Sequence, residues 1–283
     1  MAEFMNDQEY DDLPSMPLTT LSLMLLAAVG GAFGAVVVLP GIVPGLSSSL
    51  LGPEPKAYWY LARSSAFAAY VLLWASMVFG LMITNKMARV WPGGPTAFDI
   101  HQHVSLIGLA FALFHGLILV GDRFIGYTVG QVLIPFAGVA YRPAWVGIGQ
   151  LCFYLLALVG LSFYVRKLLG HRTWRVIHFL SFAVFLMAMA HGVMSGTDTK
   201  SWWARELYWT TGGSTLFLTI YRVLVSVFKP KRAPAGLSRM AADRSPQSHP
   251  DPIGGSADSQ PSRPSAGSAS VPAEAVLRQA VQG

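Results

Sequence analysis

The chain has 283 residues, of which 53% are hydrophobic and only 12% charged, against roughly a quarter charged in a soluble domain. That excludes an ordinary water-soluble protein and, with the large apolar side chains crowded into residues 1–228, marks an integral membrane protein. The formal net charge of +6 does not point to nucleic acid, because Lys and Arg lie beside the hydrophobic runs, where membrane topology accounts for them, and the single cysteine, Cys152, excludes an internal disulfide and a thiolate cluster.

A helix that crosses a bilayer needs about 20 apolar residues, and six stretches supply them: 18–43, 58–84, 101–120, 145–167, 174–195 and 212–228. The first, LTTLSLMLLAAVGGAFGAVVVLPGIVPGL, begins too far from the terminus for a signal peptide and lacks its basic start and small-residue cleavage site, so it reads as a retained helix. Its Gly30 and Gly34 form a G-x-x-x-G that offers another helix a close approach, though glycine is common in membrane helices. The expected architecture is therefore all-α: an integral membrane six-helix bundle over 18–228, behind a short cytoplasmic segment, 1–17. Residues 229–283 are rich in Pro, Ser, Gly and Ala. Such a composition cannot bury enough apolar surface to offset the entropy of ordering, which predicts a disordered cytoplasmic tail.

Orientation follows from the basic residues of the short loops. Lys86 and Arg89 follow the second run, Arg166, Lys167, Arg172 and Arg175 surround the turn after the fourth, and Lys229, Lys231 and Arg232 follow the sixth. All fall on one side if both termini are cytoplasmic. The opposite side carries Lys56, Arg123, Arg142, Lys200 and Arg205, spread over longer loops. Trp91, Trp145, Trp174, Trp202, Trp203 and Trp209 stand near run ends, as interfacial anchors do. The pattern is that of a multi-pass protein embedded in the lipid of a cell membrane.

Of seven histidines, all but His249 lie in or beside the apolar runs. An imidazole in hydrocarbon needs a partner, a cavity or a metal. His101 and His115 are 14 residues apart, nearly four turns and about 21 Å of rise, so they share a helix face. His178 and His191 are 13 apart, about 20 Å of rise. Since both runs cross in the same direction, His101 is level with His178, and His115 with His191. Two stacked bis-histidine sites result, which suit the axial positions of two b-type haems, held non-covalently in a chain with one cysteine. Zinc is a weaker competitor, since no carboxylate or thiolate lies at matching depth, and interhelical hydrogen bonding is the haem-free alternative. One mismatch stands out: 13 residues on a straight α-helix end roughly 140° off the starting face, so the fifth run needs a bend or a rotation.

The segments YWYLARSSAFAAYVLLWASMVFGLMIT, FDIHQHVSLIGLAFALFHGL and WRVIHFLSFAVFLMAMAHGVMSGTD, over about residues 58–198, resemble the ferric reductase-like transmembrane domain. That haem-binding core is shared by ferric reductases, NADPH oxidases and the haem membrane subunit of the bacterial periplasmic methionine sulfoxide reductase system. The resemblance implies His101, His115, His178 and His191 as axial ligands of two haems. It also marks a departure, because full-length reductases carry flavin and nicotinamide domains after the last helix. Here only the 55 residues from Lys229 follow, with no G-x-G-x-x-G unit, so no FAD or NAD(P) site is expected. Electrons would come from a separate flavoprotein or membrane quinol and pass to an extracytoplasmic acceptor or redox partner protein. The enzymatic expectation is an oxidoreductase or the electron-transfer subunit of one; the contrasting expectation is a haem-free scaffold or transporter subunit with structural histidines.

Other polar residues have two readings each. Arg63, inside the second run, needs an anionic partner: a haem propionate, or else it snorkels to the interface. Arg175, with Arg172 and Trp174, stands just before His178, where it would hold a propionate or simply obey the positive-inside rule. His103 is a substitute for His101 or an interfacial residue, and His171 a solvated residue of the basic turn. Asp122, Arg123 and Asp198 would shape an acceptor site or cap helix ends, while Met187, Met189 and Met194 read as core filling.

Overall fold

The computed structural model describes residues 15–42, 56–122 and 125–228, which form helices with no strand among the described residues. Most of the N-terminal segment, Arg123 and the tail 229–283 lie outside the described residues, and so do the expectations placed on them. The first helix, α1 (Leu18–Phe33), runs on through a π-helical turn at Gly34–Val38 and a last turn at Leu39–Ile42. Next come α2 (Lys56–Thr84), α3 (Gly94–Ile118), the short α4 (Val129–Leu133), α5 (Pro143–Ser162), the single turn α6 (Arg166–Leu169), α7 (His171–Phe179), α8 (Ser181–Ser195) and α9 (Trp202–Val227).

Five of these segments are long and apolar enough to cross a membrane: Leu18–Ile42, Ala57–Thr84, Gly94–Gly121, Pro143–Ser162 and His171–Ser195. The sixth expected run, 212–228, forms the second part of α9. That helix is long enough, but Arg205, Glu206 and Arg222, with the polar stretch 210–215, leave it short of the hydropathy of the other five. Its polar face is spent on α2. Tyr70 and Thr211 share a hydroxyl–hydroxyl bond of 2.6 Å, Trp74 donates to Ser214 Oγ at 2.9 Å, and Asn85 donates to the Leu218 carbonyl at 3.3 Å.

Helix α3 starts well before the expected residue 101, because Gly93 takes a left-handed φ of 106° and Pro95 suits a first helical turn. It lies along α2, where Gly108 brings the backbones close: a Cβ there would sit 3.3 Å from Leu72 Cβ. The central core joins Tyr70, Leu73 and Met77 of α2, Cys152 of α5, and Val184 and Phe185 of α8, with Met187 and Met189 packed against it. Met187 and Met189 thus fill core space, as expected, whereas Met194 is exposed. A second cluster brings Tyr58 and Ala62 of α2 to Ile118 of α3 and to Ala35 and Val36 of the π-helical turn. There the buried Tyr58 hydroxyl donates to the Ala35 carbonyl at 2.8 Å.

Gly30 and Gly34 face open space, so the G-x-x-x-G makes no helix contact within the described chain; Gly31 is the glycine of α1 that meets a neighbour, Phe114. By contrast, a Cβ on Gly121 would stand 2.6 Å from the ring of the wholly buried Tyr58. Gly121→Ala is therefore expected to destabilise the protein by about 1–3 kcal/mol through overpacking, while Gly30→Ala leaves it unchanged, as read from thermal unfolding of the two variants in detergent.

Candidate functional site: two histidine pairs

Four histidines from three segments meet two by two. The ring centres of His101 (α3) and His178 (α7) are 6.0 Å apart with planes inclined at 72°, and those of His115 (α3) and His191 (α8) are 6.3 Å apart at 69°. A metal–imidazole bond of about 2 Å, plus half of each ring, places two trans imidazoles on one ion with their centres about 6 Å apart. Both separations match that geometry. The central core, with Tyr70, Phe185 and Val184, occupies the sequence interval between the two pairs on α2 and α8.

The fifth run is interrupted by one tight turn, which works against its angular mismatch. Helix α7 ends at Phe179 and α8 begins at Ser181; between them the Leu180 N–H reaches back three residues to the Ile177 carbonyl, at 3.0 Å. A tight turn of that kind advances each residue by about 20° more than an α-helix does, in the sense that brings His191 round toward the face of His178.

Backbone carbonyls orient three of the four rings. His101 Nδ1 donates to the Ser76 carbonyl at 2.9 Å, His115 Nδ1 to the Ala62 carbonyl at 2.8 Å and His191 Nδ1 to the Trp145 carbonyl at 2.8 Å. With Nδ1 carrying the proton, Nε2 is the free lone pair, the tautomer that a metal-ligating histidine uses. Around His101 a ring of hydroxyls closes. Ser105 Oγ donates to the His101 carbonyl and Ser76 Oγ donates to Ser105 Oγ, both at hydrogen-bond distance, which leaves Ser76 Oγ to accept from Nδ1 at 3.3 Å. His178 differs: its ring stacks on Trp174, centres 5.2 Å apart and planes 28° apart, and makes no hydrogen bond among the described residues.

Two glycines make room for these contacts, each four residues after an acceptor carbonyl. Gly80 follows Ser76, and a Cβ there would lie 3.3 Å from His101 Cε1; Gly149 follows Trp145, and a Cβ there would lie 2.5 Å from His191 Nδ1. Composition and spacing do not single out Ser76, the three carbonyls or the Trp174 stack. The isolated glycines inside helical runs are the one sequence signal that points to a close approach.

The secondary residues divide. Arg63 forms an ion pair with Asp198 and lies over the Trp59 ring, 4.0 Å from its centre. It is adjacent in sequence to Ala62, the acceptor of His115. Arg175 and Arg172 are exposed on α7. His103 is exposed and donates to the Asp99 carbonyl one turn back, at 2.7 Å, away from both pairs. His171 packs near Trp174. Asp122 is buried at the end of the turn after α3, where its carboxylate faces the Ile125 N–H at 3.4 Å. Met194, with Arg142, Pro143, Ala144 and Trp145, lines an open cavity of about 490 Å³ beside the carbonyl that holds His191.

Chemically, each pair offers two imidazole nitrogens to one ion. Among the described residues no group of three or more His, Cys, Asp or Glu comes together to hold a bare metal ion, whereas two imidazoles are the donor set that haem iron takes when its macrocycle supplies the rest. Beside His178, Trp174 Nε1 is a buried donor without a partner among the described residues, suited to an acidic ligand group. No family model matches the chain, nor does any curated protein or solved structure.

Because Arg63 and Asp198 are both partly buried and face each other, a double-mutant cycle of Arg63→Ala and Asp198→Ala is expected to give a coupling of about 1–3 kcal/mol in unfolding free energy; additive effects would show that the pair contributes nothing jointly.

Proposed function

We propose that this protein carries single electrons across a membrane through two non-covalent b-type haems, one axially held by His101 and His178 and the other by His115 and His191. The observation that carries the reading is the coincidence, at two levels of one bundle, of paired imidazoles at 6.0 and 6.3 Å, with three of the four tautomers set by backbone carbonyls. Haem iron supplies reversible one-electron chemistry between ferric and ferrous states.

The rest is the work of the chain. His101 and His115, about 21 Å apart along α3, place the two levels toward opposite faces of the bilayer. The carbonyls of Ser76, Ala62 and Trp145 hold each Nε2 in a ligating orientation and make the rings more electron-donating. The apolar layer around Tyr70, Leu73 and Phe185 keeps water and ions from the interval between the levels. Arg63, next in sequence to the His115 acceptor Ala62, and Arg175, three residues before His178, would supply donors for haem carboxylates.

In this reading α9 completes a six-helix bundle with both termini cytoplasmic, and the basic loops mark the cytoplasmic face. On this reading residues 58–198 would form a domain of the ferric reductase-like kind. The donor is then a separate cytoplasmic flavoprotein or a membrane quinol. The acceptor lies on the opposite side, as a small oxidant or a redox partner protein, and the chain is an oxidoreductase or its electron-transfer subunit.

Purified from haem-replete cells, the protein is expected to bind two haems by pyridine haemochrome assay and to give sharp reduced-minus-oxidised bands of bis-histidine type. His115→Ala and His178→Ala are each expected to disturb one haem and spare the other. Gly149→Ala, which drives a methyl into His191 Nδ1, is expected to act like His115→Ala, whereas Gly30→Ala retains both. A colourless protein would replace this reading with a haem-free scaffold or transporter in which the histidines bond helix to helix.

A further inference from the structure

The two pairs are built alike but anchored differently. In the His115/His191 pair each ring is pinned by a backbone carbonyl at 2.8 Å, and His191 rides on α8, which is rooted in the core through Val184 and Phe185. In the other pair His101 is held by the Ser76 carbonyl and backed by the Ser76–Ser105 hydroxyl ring. Its partner His178 has no hydrogen-bonded anchor among the described residues. It sits near the end of a nine-residue helix with no fully buried residue, joined to α8 through the tight turn at Leu180. What holds its ring is a stack on Trp174. The indole Nε1 of that same Trp174 is buried and has no hydrogen-bond partner.

An imidazole without a hydrogen-bonded anchor is easier to displace than a carbonyl-anchored one, because fewer contacts break when it swings away. A buried donor beside it costs free energy as long as it is unmade, and a polar or polarisable ligand entering there would satisfy it. His191, by contrast, is fixed by its carbonyl, and its neighbour Gly149 leaves no space even for a methyl group at Nδ1.

On the reading that the pairs hold haem, we propose that the His101/His178 site is also a ligand-exchange site: His178 leaves and a small uncharged diatomic ligand takes its place, with Trp174 Nε1 donating to the bound ligand. The exchange breaks one iron–imidazole bond and forms one iron–ligand bond. Neutral His178 departs with its proton, and no electron or proton is transferred. The His115/His191 pair stays closed, so a chain with two axially similar haems responds to a dissolved diatomic at one of them.

Carbon monoxide is the probe, added to the dithionite-reduced full-length protein in detergent after its haem content has been counted. The expected result is a CO complex on one haem of two, retained by the single haem of the His115→Ala/His191→Ala double variant. In Trp174→Phe, which keeps the ring and removes the donor, CO is expected to leave about fivefold faster, the worth of one hydrogen bond, with a higher C–O stretching frequency. A two-haem protein that binds no CO, or binds it at both haems, overturns the proposal and leaves the electron-carrier reading intact. So does loss of CO binding in the double variant, and unchanged CO kinetics and stretching frequency in Trp174→Phe overturn the part assigned to Trp174. A protein without haem overturns the reading beneath it instead.

Discussion

A histidine in hydrocarbon is costly unless its ring nitrogens find partners, and the bundle meets that demand through the main chain for three of its four paired histidines. One nitrogen of His101, His115 and His191 donates to a main-chain carbonyl. The carbonyls belong to neighbouring helices: Ser76 and Ala62 on α2, and Trp145 at the start of α5. A helical carbonyl keeps a second lone pair after its own i+4 bond, but the side chain at i+4 stands over it. For Ser76 and Trp145 that residue is glycine, Gly80 and Gly149, and the imidazole fills the space. One missing Cβ on a facing helix thus fixes ring, tautomer and helix spacing at once. It turns a costly polar group into a contact that joins α3 to α2 and α8 to α5.

The same constraint explains how the helices divide their labour. Helix α3 carries one member of each pair and lies along α2, which supplies two of the three acceptors. Helix α8 delivers His191 and α7 delivers His178, and the interruption at Leu180 lets one chain segment serve both levels. Helix α9 contributes no histidine; Tyr70 and Trp74 of α2, and Asn85 just after it, hydrogen-bond Thr211, Ser214 and the Leu218 carbonyl of α9, so part of its polar character is taken up in packing against α2. The Arg63–Asp198 pair ties the first part of α2 to the turn that follows α8, beside the His115/His191 level.

Much of this is readable from residue order. Apolar run length locates the five spanning helices, missing by five to seven residues at the start of α3 and the end of α5, and the 14- and 13-residue spacings match His101 with His178 and His115 with His191 by depth alone. What escapes such reading depends on tertiary geometry. The early start of α3 is set by the left-handed Gly93 and by Pro95, polar-looking residues that a hydropathy window discards. The break at Leu180 has no glycine or proline to announce it. Arg63 meets Asp198, 135 residues away in the chain, so a charge read as seeking a ligand already has a side-chain partner. The carbonyl acceptors have no sequence signature of their own, although a lone glycine in a helical run, four residues after the acceptor, betrays two of them.

The planes of the two imidazoles in each pair are crossed, at 72° and 69°, and crossed axial ligands impose a distinctive electronic state on low-spin ferric iron. Low-temperature electron paramagnetic resonance of the oxidised protein tests the central claim most directly. The account predicts two low-spin ferric signals of the highly anisotropic, large-g type that crossed imidazole planes produce. Rhombic signals typical of parallel planes, or no low-spin ferric signal, would contradict it.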